Sequence, residues 1–253
     1  MYAEERQAAI VAQARAEGRV DVATVAETLG VTPETIRRDL TTLERQGVLR
    51  RVHGGAIPVD RLGFEPAVGV RQSVLVSEKE SIAKAALDEL PDEGAILLDA
   101  GTSTLRLAEL LPLDRELVVV TNSLPHATLL VTRPNITVHL VGGKVRGRTL
   151  ATTDEAAQEF LRHLHVDVSF IGSNGVSVER GLTTPDRSEA GVKRAMIAAA
   201  RRTVLLADHT KFGTDHFAQF GTLADVDVVI TDTGLDASLA EEIEAAGPRV
   251  VRA

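Results

Sequence analysis

The chain has no cysteine and no tryptophan, and its aromatic rings are one Tyr and six Phe. The missing thiols exclude disulfides, cysteine-ligated zinc, iron–sulfur clusters and thiol nucleophiles together. They also fit a reducing compartment. So few rings leave the core to Ala, Val, Leu and Ile. No apolar run reaches the roughly 18 residues that a membrane-spanning helix needs, so no membrane association is expected. The opening MYAEERQAAI places Glu4 and Glu5 where a signal peptide carries positive charge. The expectation is a cytoplasmic protein.

What is present is a globular composition, 44% hydrophobic and 25% charged. A length of 253 residues accommodates one large or two unequal domains. The formal net charge of −8 argues at first against a nucleic-acid partner. Its distribution argues the other way, because residues 35–55 hold five Arg against two acids. A global sum can hide a local basic face.

Helical spacing runs over residues 4–16 and breaks at Gly18. A second helix fits Val22–Leu29, with Asp21 as N-cap and Gly30 just past its end. A third starts at Thr32 as N-cap, with Pro33 at the first helical position, where its missing N–H does no harm. Ile36, Leu40 and Leu43 recur on one face, and Gly47 ends the helix. VLRRVHGGAI then reads as two short strands around Gly54-Gly55. Two short helices joined by a tight turn match a helix-turn-helix, whose second helix enters the major groove. Thr32, Glu34, Thr35, Arg37 and Arg38 fall mainly away from the apolar face. Arginine suits guanine edges and phosphates alike. Arg50, Arg51 and His53 precede the glycine turn as a wing along the phosphate backbone would require. The alternative is a small three-helix domain whose arginine cluster serves protein contacts.

Pro58, Gly63, Pro66 and Gly69 interrupt the pattern after Ala56, so the domains are read as 1–57, a linker over 58–76, and 77–253. Ser77 with Glu80 reads as a capping box opening a helix that Pro91 closes. Strands are expected at Ala95–Leu98, Leu117–Val120, Ile136–Val141, Val166–Ile171, Thr203–Ala207 and Val226–Ile230. Helices fall near 102–111, 123–132, 154–164, 186–201 and 236–246. Nearly continuous Val/Ile/Leu strands spaced by helices indicate a parallel sheet covered on both faces.

Several turns of that sheet carry polar chemistry. LLDAGTSTLRLAELL passes from a strand through Asp99, Gly101, Thr102, Ser103 and Thr104 into a helix, whose N-terminus favours an anion. It is neither a Walker A loop nor a GxGxxG fingerprint. Thr121-Asn122-Ser123 and Gly142-Gly143-Lys144 follow later strands in the same way, and such strand ends gather along one ligand-binding edge. Glu189 and Lys193 lie four apart, which reads either as a site or as a surface salt bridge. Asp208 and Lys211 follow the strand TVLLA and suit sugar hydroxyls and a phosphate. The seven His are scattered, with His163 and His165 two apart on an expected helix and so on different faces. Neither a metal site, a cofactor nor a catalytic residue is assigned.

Residues 19–56, RVDVATVAETLGVTPETIRRDLTTLERQGVLRRVHGGA, resemble the N-terminal signature of the DeoR/GlpR family of bacterial transcriptional regulators. TIRRDL followed by RRVHGGA is specific to that family. The resemblance implies a winged helix, with Thr35, Arg37 and Arg38 on the recognition helix and Arg50, Arg51 and His53 in or beside the wing. It extends through DAGTST, TNS, LVGGKVRG, VDVSFIGSNGV, GLTTPDRSEAGVKRAMI, LLADHTKFG and VVITD, which are similar to the family's sensor domain. That implies an α/β fold related to ribose-5-phosphate isomerase and a phosphorylated-sugar effector. By motif, Lys79, Asp99, Gly101, Thr102, Ser103, Thr121, Asn122, Gly143, Lys144, Glu189, Lys193, Asp208 and Lys211 would border its pocket. One departure stands out. Where many relatives have Val-Gly, this chain has Thr153-Asp154, and an acid facing the pocket would repel a phosphate.

Three functions follow from these readings. The first is a repressor of a sugar-utilisation operon, bound to operator DNA as a homo-oligomer, dimer or tetramer, and released by a sugar phosphate such as fructose 1-phosphate. The second is a sugar-phosphate isomerase or deaminase with an appended DNA-binding module, since Asp208, Glu189 and Lys211 are able to act as acid and base. The third is a binding module without a small ligand. A dedicated helix-turn-helix argues against the second, and three phosphate-type turns argue against the third.

Overall fold

The computed structural model describes residues 2–17, 19–58 and 65–253, with the side chains of Arg15 and Ala16 excepted. The expected break at Gly18 and the boundary glycine Gly63 lie outside the described residues. The chain divides into two compact units, Met1–Val74 and Leu75–Ala253.

In the first unit, α1 (Ala3–Glu17), β1 (Val20–Asp21), α2 (Val22–Thr28) and α3 (Pro33–Arg45) precede a hairpin of β2 (Leu49–Val52) and β3 (Gly55–Pro58). Asp21 caps α2 by accepting from the amides of Ala23 and Thr24, and Thr32 caps α3 with Pro33 at its first position. Ile36, Leu40 and Leu43 point inward onto Ile10, Val25 and Leu49. One polar group is buried with them. Asp39 accepts from Arg6 at 2.5 Å and from Gln7 at 3.0 Å, which fastens α1 to α3. The three strands order as β1-β3-β2, so the hairpin is a wing anchored on β1. Gly54 has φ +79°, and a Cβ on Gly55 would lie 1.9 Å from the Val20 carbonyl oxygen. Glycine is therefore required twice, for the turn and for the approach of β3 to β1. Within the stretch read as a linker stand α4 (Val68–Gln72) and an Arg71–Glu65 ion pair at 3.3 Å.

The second unit opens with α5 (Val76–Ala86), β4 (Gly94–Leu98), α6 (Thr102–Leu110), β5 (Leu117–Thr121), α7 (Leu124–Leu130) and β6 (Ile136–Leu140). A small hairpin of β7 (Lys144–Arg146) and β8 (Ala151–Thr153) leads to α8 (Glu155–Arg162) and β9 (Val166–Gly172). Then come β10 (Gly175–Ser177), β11 (Gly181–Thr184), α9 (Arg187–Ala198), β12 (Ala200–Leu206), β13 (Ala218–Gly221), β14 (Val228–Thr231), α10 (Ala237–Ala245) and β15 (Arg249–Arg252). Seven strands form one parallel sheet in the order β15-β14-β12-β9-β4-β5-β6. Alternation along β4 shows both faces covered. Ile96 and Leu98 pack with Leu107 of α6, Ile82 of α5 and Leu130 of α7. Leu97 packs on the other side with Leu161 of α8, Met196 of α9 and Ile243 of α10. From β4 the chain winds outward through β5 and β6, then returns to β9 and winds the opposite way. The reversal opens a crevice between the carboxyl ends of β4 and β9, the position where doubly wound sheets bind ligands.

Three local expectations are corrected. The capping box does not form, because α5 begins at Val76 and places Ser77 inside the helix, after Leu75 at φ 53°. The Ser77 hydroxyl instead donates to Glu78. His163 caps the C-terminus of α8 and His165 lies beyond it, so the two do not share a helix. The strands β1, β7, β8, β10, β11, β13 and β15 were not expected.

Candidate functional site

The residues expected at DNA lie along α3 and the wing. Thr32 accepts from the Thr35 amide at 3.3 Å, and the two hydroxyls lie 2.9 Å apart, so both are spent partly on starting the helix. Arg37 and Arg38 project into solvent beside Glu34, at 3.3 and 3.9 Å. Pairs this exposed hold their arginines weakly and leave them available to a stronger anion. Arg50 is exposed on β2, and His53 on the turn. Arg51 is more constrained, since its guanidinium donates to the Thr41 hydroxyl at 3.2 Å and its amide to Glu44 at 3.0 Å. Arg19, which the sequence reading passed over, donates to the His53 carbonyl at 3.5 Å and adds a cation to the wing tip.

In the second unit the crevice is built on a buried ion pair. Asp99, at the end of β4, accepts from Lys193 of α9 and from the Gly172 amide at 3.0 Å. The Lys193 ammonium also donates to the Gly172 carbonyl at 2.9 Å and stands 5.3 Å from the Phe220 ring centroid. Burial removes water from both charges, so they persist only because each is paired and hydrogen-bonded. Glu189 is buried as well, accepting from Thr149 at 2.5 Å and Arg146 at 3.2 Å. The reading of Glu189 and Lys193 as a surface salt bridge is therefore overturned, since both lie inside and reach different partners.

The DAGTST loop is held from several sides. The Thr104 hydroxyl donates to the Asp99 carbonyl at 2.7 Å, and Asn122 accepts from the Ala100 amide at 2.9 Å while donating to Thr152. Thr121 donates inward to the Leu98 carbonyl at 2.7 Å, which makes it a brace of the strand end. Gly101 caps α6 without a side chain, so no side chain competes for the amides of Thr102 and Ser103 at that helix start. His126 is fully buried with Nε2 3.3 Å from the Gly101 carbonyl. Desolvation pulls its pKa down to about 4, against the opposing pull of that carbonyl and of Asp99. The neutral ring thus carries its proton on Nε2 and ties α7 to the loop.

Along the same edge, Asp208 follows β12. Burial pushes its carboxyl up, but Lys211 at 3.6 Å, Thr210 and Lys79 outweigh this and hold it below the ordinary value. Lys79 is buried on α5, whereas Lys211 is partly exposed. Gly143 and Lys144 are exposed at the start of the β7–β8 hairpin. Lys144 projects into solvent from β7, and its amide donates to Asp154 at 3.0 Å. The Asp154 carboxylate turns back on the amides of Ala156 and Ala157 at 3.0 and 3.2 Å. It occupies the start of its own helix.

Arg146, His126, His209 and Asp232 were not singled out. Isolated polar residues in apolar or mixed surroundings give no periodic signal. Only the positions of His209 and Asp232, just past β12 and β14, marked them. Among the described residues no group of three His, Cys, Asp or Glu is placed to hold a metal ion, and no helix is long and apolar enough to cross a membrane.

A winged helix with projecting arginines, carried on one chain with a doubly wound unit whose crevice is lined by buried charge, defines a DNA-binding regulator with a sensor domain. Comparison with known proteins agrees. A model described as the DeoR-like helix-turn-helix domain matches residues 6–61, and one described as the DeoR C terminal sensor domain matches residues 75–233. The chain belongs to the DeoR family of transcriptional regulators. It is 39% identical over 249 residues to the HTH-type transcriptional regulator GlpR of Haloferax volcanii, covering 98% of this chain and 97% of that protein. It is 37% identical to the HTH-type transcriptional regulator FruR of Bacillus subtilis, over 92% of each. It is 31% identical to the glycerol-3-phosphate regulon repressor of Escherichia coli K12, over 90% of each. Among solved structures, ribose 5 phosphate isomerase A from Neisseria gonorrhoeae matches at 15% identity and TM-score 0.39, over 57% of this chain and 55% of that one. The chain thus spans little more than half of that enzyme's length.

Proposed function

We propose that this regulator is a repressor that a phosphorylated sugar releases from its operator. The observation that carries the reading is the crevice at the β4–β9 reversal. There the uncapped start of α6 stands over a buried Asp99–Lys193 pair. Helix-start amides suit a phosphate, while the carboxylate and ammonium suit the hydroxyls of a sugar. The name of the Escherichia coli relative, a glycerol-3-phosphate regulon repressor, favours an effector of this chemistry. Fructose 1-phosphate is our candidate among the sugar phosphates. Arg37 and Arg38 read the operator, with Arg50, Arg51 and His53 on its backbone.

The test is operator release by titrated sugar phosphates, wild type beside Lys211→Ala. We expect the variant to bind DNA normally and to need a higher effector concentration. Losing a charged hydrogen-bond partner of the effector costs on the order of 1.5–3 kcal/mol. An effector shifts the equilibrium only by its differential affinity, so weaker binding means weaker release. Equal release curves remove Lys211 from the site, and no release by any sugar phosphate removes the reading. In gel shifts, Arg37→Ala or Arg38→Ala is expected to weaken specific binding by roughly 1–3 kcal/mol.

A further inference from the structure

We propose that His209 is a specificity-determining residue of the effector site, taking a sugar hydroxyl at the end remote from the phosphate. The inference rests on the sugar-phosphate reading above and assigns a residue that reading does not use.

Its basis is a built socket. His209 follows β12, and Asp232 follows the neighbouring strand β14. Asp232 is buried and accepts twice from His209, from the backbone amide at 2.8 Å and from ring Nδ1 at 2.7 Å. A third donor, the Gly234 amide, lies 3.0 Å from the same carboxylate. A Cβ on Gly234 would stand 2.6 Å from Nδ1 and 2.7 Å from the Asp232 oxygen, so only glycine lets ring and carboxylate meet. The carboxylate fixes the proton on Nδ1 and the orientation of the ring. Nε2 has no partner among the described residues, and the side chain is one-third exposed. A fixed ring with its second nitrogen unused is costly to arrange for packing alone.

The sheet supplies a ruler. β4, β9 and β12 are consecutive neighbours, so the end of β12 stands two strand spacings from the end of β4, roughly 9.6 Å. A phosphate on the start of α6 leaves a three-carbon chain over β9. A six-carbon chain extends to β12, where Nε2 accepts a hydroxyl proton. His209 thus favours long sugars over short ones, and Asp232 acts through it as a positioning residue.

The experiment is calorimetric titration of the full chain with fructose 1-phosphate, glycerol 3-phosphate and inorganic phosphate. It compares wild type, His209→Ala, His209→Gln, Asp232→Asn and Gly234→Ala, each checked for an unchanged melting profile. His209→Ala is expected to lose about tenfold in affinity for the six-carbon probe and nothing for the other two. His209→Gln should recover part of that loss, and Gly234→Ala should mimic His209→Ala with the imidazole still present. An unchanged six-carbon affinity in His209→Ala overturns the proposal, as does an equal loss for all three probes. Wild type that binds none of the probes overturns the sugar-phosphate reading, and this inference with it.

Discussion

Asp154 holds φ 98° and ψ −175°, a region in which glycine alone is unstrained. Three backbone amides on its carboxylate, those of Lys144, Ala156 and Ala157, offset that strain. Asp154→Gly removes strain and cap together, and stability is expected to change by less than about 1 kcal/mol. Asp154→Ala keeps the strain and loses the cap, for an expected loss of about 1–2 kcal/mol in urea unfolding. A loss as small as that of Asp154→Gly would show the backbone to be unstrained. His126 gives a second prediction. Its imidazole titrates near 6.5 when unfolded and at about 4 when folded. Between those values the unfolded chain binds a proton that the folded chain does not. Stability is therefore full above about pH 6.5, falls as the pH drops and levels off near pH 4, by about 3 kcal/mol in all. His126→Gln should remove that dependence in denaturant titrations across pH 4–7. At this scale the sequence was readable where a residue's type and position both spoke, as for Thr32, Pro33 and Asp99. It was silent on partners, since the spacing of Glu189 and Lys193 cannot tell a surface pair from two buried groups reaching Thr149 and Asp99.

Elements were more legible than partners. Ile96, Leu97 and Leu98 have almost no alternative to a strand buried on both faces, and the helices between such runs follow from their spacing. What escaped were elements shaped by tertiary contacts. RVVR becomes β15 only by pairing with β14, and KVR becomes β7 only against β8. The capping box at Ser77 failed because Leu75 in a left-handed turn starts α5 one residue before Ser77, and no local rule predicts a leucine there. The wing offers a prediction at the same scale. Gly55→Ala forces β3 away from the Val20 carbonyl, and neither atom belongs to a flexible side chain. DNA affinity is expected to fall at least tenfold while effector binding, followed by calorimetry, is unchanged. Retained DNA affinity would mean that the wing tolerates separation from β1.

At the scale of the molecule, one winged helix presents one α3, and tight operator binding calls for two. We expect light scattering to show a dimer or a larger even-numbered assembly. A strict monomer that still grips one full operator tightly would refute this. Assays for isomerase and deaminase turnover on the same sugar phosphates are expected to be blank, since the named relatives are regulators.

The two kinds of charge on this chain answer differently to ionic strength. Arg37, Arg38 and Arg50 are exposed, whereas Asp99 and Lys193 neutralise each other out of water. Mobile ions screen the first set and scarcely reach the second. If four phosphates are contacted, a fourfold rise in salt costs roughly a hundredfold in operator affinity. The affinity of the crevice should move far less. On the repressor reading proposed above, salt tilts the same balance that the effector tilts, and from the opposite end of the chain. On that reading a cell under osmotic stress would need less sugar phosphate to free the same promoter.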